Sequence, residues 1–210
     1  FASCDRCRRI PVSEANRSQL WSRDVSSPEA YAASVEPNRS RLAHLLGLDD
    51  DRSRFSTLEL ITTTEQSALA GTGDGYEAHS VRWPAFADVQ GEGLLLTPLD
   101  REPVANVVAV PDANVLPEQL TGLIDGVPPE SQYARRLAES GCRIVVPTLI
   151  DRSEAVDGIS NRELLYRSAF VLGRHLLGYE LQKILAAIDW FEQRNDVTPR
   201  LRTGVIDWGE

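Results

Sequence analysis

Three short apolar runs in the second half of the chain, separated by segments of helical period, constrain its fold more than any other feature. Val104–Val110 reads VANVVAV between two prolines, Cys142–Ile150 reads CRIVVPTLI, and Thr203–Trp208 reads TGVIDW. Runs this short and this continuous suit strands buried on both faces of a parallel sheet. Between the first two, Ser131–Ser140 puts Tyr133, Ala134, Leu137 and Ala138 on one side of a helix that stops at Gly141. Between the last two, Leu172 to Arg194 repeats Leu177, Leu181, Ile184, Leu185, Ile188 and Phe191 at three- and four-residue steps, the stripe of an amphipathic helix. Strand, helix, strand, helix, strand predicts an α/β domain: a mostly parallel sheet flanked by helices, with right-handed crossovers.

The first half is organised differently. Residues 1–26 have no periodicity and are rich in Arg and Ser, which predicts an irregular N-terminal arm. Residues 27–56 form a helical prefix. Ser27-Pro28-Glu29 is a helix start, with a capping hydroxyl followed by proline at the first helical position. Pro37 should kink or divide that helix, and Arg39–Leu46 carries Leu42, Leu45 and Leu46 on one face up to a terminator at Gly47. From residue 57 to 210 the chain forms the sheet domain. Thr57–Thr64 is expected as a strand, then a loose linker runs to Gly75. Tyr76–Trp83 alternates as a half-buried strand does, and Gly91–Pro98 is another strand. These should be antiparallel strands that open the sheet.

Composition removes several function classes. With 22 Lys and Arg against 31 Asp and Glu, the net charge of -9 disfavours phosphate-rich partners, so no nucleic acid is expected. No apolar run approaches the roughly 20 residues of a spanning helix, so no transmembrane segment is expected. The three cysteines do not make a disulfide framework. Cys4 and Cys7 form a C-x-x-C that would serve as half a zinc site, as a redox pair or as an incidental pair in a tail. The last reading ranks first, since the chain has no second ligand pair and no strand precedes the motif. No metal is expected. The chain has no Met and begins with Phe1, so the native start is expected to be missing or processed away. Phe1-Ala2-Ser3-Cys4 resembles a bacterial lipoprotein cleavage site, without the apolar segment that precedes one. Secreted, periplasmic and lipid-tethered locations therefore all stay open. After Val110 the chain reads Pro-Asp-Ala-Asn, not G-x-G-x-x-G, and the sole lysine, Lys183, belongs to no phosphate-binding loop. Nucleotide binding is set aside and no cofactor is expected.

Three segments together carry a family resemblance. They are Leu172-Gly173-Arg174-His175-Leu176-Leu177-Gly178-Tyr179, then Ala187-Ile188-Asp189-Trp190-Phe191, then Thr203-Gly204-Val205-Ile206. In order and spacing they resemble the helix-and-strand unit before the nucleophile elbow of acetyl xylan esterase-like and dienelactone hydrolase-like α/β-hydrolases. The helix from Ser27-Pro28-Glu29-Ala30-Tyr31 to Leu45-Leu46-Gly47-Leu48 is similar to the helical prefix of the same esterases. The resemblance spans most of residues 27–210 and implies a carboxylic ester hydrolase acting on a small-molecule or carbohydrate ester. It also implies that the chain is the N-terminal half of such a domain, truncated after the strand leading to the elbow. The remaining half is then expected on the same polypeptide or on a second chain.

An esterase of this architecture needs a nucleophile on a strained turn, a histidine base, an acid and two backbone donors for the oxyanion. The elbow should come directly after Thr203–Trp208. Laid on G-x-S-x-G, the chain offers Asp207, Trp208, Gly209 and Glu210, so the nucleophile position falls on Gly209, which has no side chain. Three readings stay open: a register shifted by one residue, loss of the serine in a binding or scaffold protein, or replacement of the serine by another group such as Glu210. Loss or replacement ranks first, because Val205-Ile206 fixes the register. The resemblance places one oxyanion donor in the loop Asp112-Ala113-Asn114, which a plain Asp-containing turn would equally explain. The amide of Glu210 would be the second. Asp151-Arg152, after a parallel strand, is a candidate binding pair, because open α/β sheets place ligands at carboxyl ends. A local ion pair explains it as well. His175 is expected to serve packing or hydrogen bonding, and His44 and His79 are expected to be structural.

Overall fold

The computed structural model describes residues 16, 20–112, 114–150, 154–156, 158–194 and 201–208. It divides into two units, Phe1–Asp49 and Asp50–Glu210. The first unit is built on helix α1, Pro28–Leu46, whose N-cap Ser27 accepts a hydrogen bond from the Ala30 N–H. Gly47 closes it in the left-handed region, at φ 69°, with its N–H bonded to the last turn. Both ends are where the capping residues predict. Of the two expectations for Pro37, a kink or a division, the helix is not divided: α1 runs through it.

The second unit is a helix–sheet–helix sandwich. Its elements are β1 (Glu59–Leu60), β2 (Leu69–Gly73), β3 (Tyr76–Phe86), β4 (Val89–Pro98), β5 (Asn106–Val110), α2 (Pro117–Leu120) and α3 (Tyr133–Glu139), followed by β6 (Arg143–Pro147), β7 (Glu154–Val156), β8 (Ile159–Ser160), α4 (Asn161–Val171), α5 (Leu176–Arg194) and β9 (Thr203–Asp207). The main sheet has the order β1-β3-β4-β6-β5-β9, with β2 also pairing β3. Its β1–β4 limb is antiparallel and joins β6 antiparallel, while β6, β5 and β9 run parallel. β7 and β8 form a separate two-stranded ribbon.

Alternation along the strands sends side chains to two cores. One face carries Tyr76, Ala78, Leu94, Leu96, Ile144 and Val146, covered by Leu120 of α2 and by Ala134 and Ala138 of α3. The other carries Val81, Trp83, Val108 and Val145, covered by Ile184, Ala187, Trp190 and Phe191 of α5. The two indoles on that side also have their polar atoms satisfied, as buried tryptophans require. The Trp83 Nε1–H donates to the Lys183 carbonyl at 3.0 Å, and the Trp190 Nε1–H to the Ser56 carbonyl at 3.1 Å.

Several elements depart from the periodic pattern. The strand expected over Thr57–Thr64 shrinks to two residues, whereas the linker before Gly75 contains β2. The irregular stretch after Ile150 contains a ribbon and the eleven-residue helix α4. On α5 the buried face runs through Leu176, Glu180, Ile184, Ala187 and Phe191, with Leu177 exposed, so the stripe is rotated from the one that leucines alone mark. Alanine and glutamate occupy the face because the helix lies close to the sheet and is pinned by an ion pair. β9 departs most. It pairs only with β5 among the described strands, and Val205 is 55% exposed, so it is an edge strand in this structure, not one buried on both faces.

At Gly93 the antiparallel limb meets the parallel half. A Cβ there would stand 2.1 Å from the Val146 carbonyl oxygen and 2.9 Å from the Pro147 Cα, so backbone, not a flexible side chain, is in the way. At Gly204 a Cβ meets nothing within 4 Å. Gly93→Ala should therefore destabilise the chain by about 1–3 kcal/mol, the usual cost of overpacking, while Gly204→Ala should stay within about 0.5 kcal/mol. Urea unfolding midpoints of the two variants check this; equal midpoints would contradict the packing described.

Candidate functional site

Open α/β sheets present their chemistry at the carboxyl ends of parallel strands. Here β5 and β9 end level with one another, Val110 opposite Asp207. Beyond Val110 the chain turns at once: the Val115 N–H donates to the Asp112 carbonyl at 2.9 Å. Asp112 and Asn114 are both exposed at this turn. The turn that an Asp-Ala-Asn sequence predicts is present, directly after β5.

Tyr133, the first residue of α3, joins the two strand ends. Its hydroxyl donates to the Val110 carbonyl at 2.5 Å, and the backbone N–H of Trp208 stands close enough to favour the phenolate. Burial, the Asp207 charge and the Asp112 charge push its ionisation up to about 12, against the hydrogen bond from Trp208, which lowers it. The two carboxylates thus define a negative rim above a neutral phenol. α3 directs the ring inward because Ala134 and Ala138 bury its sheet-facing side, and the hydroxyl then needs polar partners at the sheet's end. The sequence places Tyr133 on the inner side of the helix but does not single out its hydroxyl. Asking what an inward tyrosine's polar tip would bond to could have found it.

The carboxyl end of β6 is held by Glu180. This carboxylate, 6% exposed, accepts from the Ile150 N–H at 3.2 Å and from Arg162 Nη1 at 2.8 Å. It therefore ties the segment after β6 and the start of α4 to the first turns of α5. Beside it opens a cleft of about 360 Å³, lined among others by Ser160, Arg162, Tyr166 and His175. His175 caps α5: its Nδ1 accepts the Leu177 N–H at 3.1 Å, and its ring meets Tyr166 edge-on. That is the hydrogen-bonding role its position predicts. Nearby, Arg174 forms a two-pronged ion pair with Asp50, and this hydrogen bonding holds the Asp50 carboxyl below its ordinary range.

Of the residues singled out from sequence, Asp112 and Asn114 stand together at the end of β5. Ala113, Asp151, Arg152, Gly209 and Glu210 lie outside the described residues. His44 is exposed near Asp49 and His79 lies in β3 near Glu77, each with one carboxylate for company. Among the described residues no group of three or more potential metal ligands occurs, and no helix is long and apolar enough to cross a membrane.

No protein-family model matches the chain, and no curated protein matches it. Solved structures do. A crystal structure from Bacteroides fragilis, assigned by its description as an acetyl xylan esterase, is similar over 100% of this chain and 55% of its own, with a TM-score of 0.59 and 16% identity. A methylesterase is similar over 91% of this chain and 38% of its own, with a TM-score of 0.52 and 15% identity. The chain thus spans about half the length of the first neighbour and less of the second. At these identities the likeness is one of fold, and the fold class is the α/β-hydrolase type that the sequence resemblance implies.

The raised ionisation of Tyr133 has a definite sign in stability. Below about pH 10 the phenol is neutral in folded and unfolded chains alike, and it adds no slope. Between the ordinary value of 10 and about 12 the unfolded chain ionises first, so stability should fall as pH rises and level off beyond about 12. Absorbance titration of phenolate should show Tyr133 among the last of the five tyrosines to ionise. Tyr133→Phe should remove that late step and cost about 1–2 kcal/mol; an unchanged alkaline titration would contradict the placement.

Proposed function

We propose that the chain is the N-terminal part of an α/β-hydrolase-type carboxylic ester hydrolase, acetyl xylan esterase-like, acting on a small-molecule or carbohydrate ester. One observation carries the reading: β5 and β9 end side by side, with Asp112 and Asn114 directly after the one and Trp208 directly after the other. In this reading the Asp112–Asn114 turn and the amide of Glu210 would supply the two backbone donors to an ester oxygen. Such donors lower the barrier by stabilising charge that develops in the transition state. The site takes no cofactor in this reading. Attack then comes from a group other than a side chain at residue 209, since that residue is glycine.

The same glycine favours a second reading, a catalytically inactive homologue that binds a ligand or partner. The full-length protein should turn over short-chain nitrophenyl esters without labelling by a serine-directed phosphonate. Turnover with labelling would replace the proposed chemistry by an ordinary serine nucleophile elsewhere. Absence of both would leave the binding protein.

The dienelactone hydrolase-like features and a bacterial source belong to the same proposal. So does the rest of the domain, on this polypeptide or a second one, covering β9. The exposure of Val205 and Trp208 supports it, as does the position of β9 at the end of the strand order among the described strands, because apolar side chains left in water at a sheet's edge invite association. Residues 1–210 alone should then elute in size-exclusion chromatography as associated species, and a well-behaved monomer would contradict it.

A further inference from the structure

A second cleft lies at the opposite end of the parallel strands, away from the proposed ester site and independent of that reading. It has a volume of about 280 Å³ and is lined by Arg143, Arg194, Trp190, Thr57, Thr97 and Leu60, among others. Arg143 begins β6 and Arg194 ends α5, so both guanidinium groups come to the amino end of the parallel half. The Arg194 guanidinium lies over the Trp190 ring, 5.1 Å from its centroid. Neither arginine forms an ion pair among the described residues.

That pairing of like charges is unusual in a chain with 31 acidic residues and 22 basic ones, where a carboxylate partner would be easy to supply. It is also unfavourable in itself. Burial first, and then the Arg194 charge, pull the ionisation of Arg143 below its ordinary range, and only Glu102 opposes them. Next to Arg143 in register stands Asn106, 1% exposed, with both amide atoms lacking a hydrogen-bond partner. Asn106 and Val108 are two residues apart, and so are Arg143 and Val145, so all four share the sheet face that α5 covers. A buried amide without partners costs about 1–3 kcal/mol, and two cations without an ion pair among the described residues, beside an apolar wall, add to the imbalance. A single oxyanion between the guanidiniums would offset the repulsion, and two-pronged guanidinium–oxyanion bonds are among the strongest polar contacts a protein makes.

We infer that this cleft is a binding site for a small amphiphilic anion, a carboxylate or phosphate head held between Arg143 and Arg194 with an apolar body against Trp190 and Leu60. Thr57 and Thr97 add hydroxyls to the lining, and the volume of about 280 Å³ suits a body of one ring or a short acyl chain. The arginines and the indole give such a ligand charge and shape together, so neither inorganic phosphate nor a neutral aromatic amide should match it.

Calorimetric titration of the full chain with phenyl phosphate, benzoate, inorganic phosphate and benzamide tests this. Phenyl phosphate or benzoate should bind saturably at one site, and which of them binds tighter identifies the head group. Benzamide and inorganic phosphate should bind at least about tenfold more weakly. Arg194→Gln changes an exposed side chain and should fold normally, yet weaken the anion about tenfold or more; Arg143→Gln should do the same. No saturable binding of either organic anion at millimolar concentration would overturn the proposal. So would binding that both variants leave unchanged, or binding that benzamide equals.

Discussion

The approach of β4 to β6 at Gly93 is the contact on which the rest of the sheet depends. Four strands on one side of it are antiparallel and three on the other are parallel, and the two systems share one hydrogen-bonded ladder only because nothing projects between them there. From that ladder Leu94 and Leu96 pass to one core while Leu95 faces the other, so both hydrophobic layers cross the junction unbroken. If the strands were held apart at this point, α3 and α5 would each cover half a surface. Burial on both faces is what an α/β sandwich offers in return for ordering its backbone.

Polar anchors then fix where the helices lie. Glu180 sits in the hydrophobic flank of α5, a position that would be costly for an isolated charge. It is held by Arg162 and by the Ile150 N–H, and so one carboxylate specifies how an excursion of the chain returns to the helix. The stretch from Asp50 to Ser56 is fastened in a comparable manner: Asp50 to Arg174 and Gln182, Arg52 to Asp189, and the Ser56 carbonyl to Trp190. These are directional contacts between segments more than a hundred residues apart, and they give the apolar faces a unique register against one another.

This division of labour explains which elements are legible in the sequence and which are not. Strands β3 to β6 and helices α3 and α5 declare themselves through apolar period, because the hydrophobic effect acts on pattern. Helix α1 declares itself through Ser27 and Gly47, because caps are local chemistry. β2 and the β7–β8 ribbon are marked by neither, β2 being mostly exposed and the ribbon short, and α4 is exposed along most of its length. On α5 the leucines point to a stripe that the structure rotates, since Glu180 and Gln182 are buried by their partners and not by hydrophobicity. Of the candidate site, the carboxyl ends and the Asp112 turn can be read from strand order and turn propensity. The bridging hydroxyl of Tyr133 depends on distances that only the folded chain defines.

That hydroxyl has one proton and two lone pairs. The proton is committed to the Val110 carbonyl. The lone pairs remain as acceptors, facing the Trp208 amide, on a phenol that resists ionisation. Anything resting on the strand ends therefore meets at Tyr133 a group able to take a hydrogen bond and unable to give one. The tyrosine holds the β5 carbonyl with its one proton, beside the amide that follows β9, and so behaves as a strut and not as an acid.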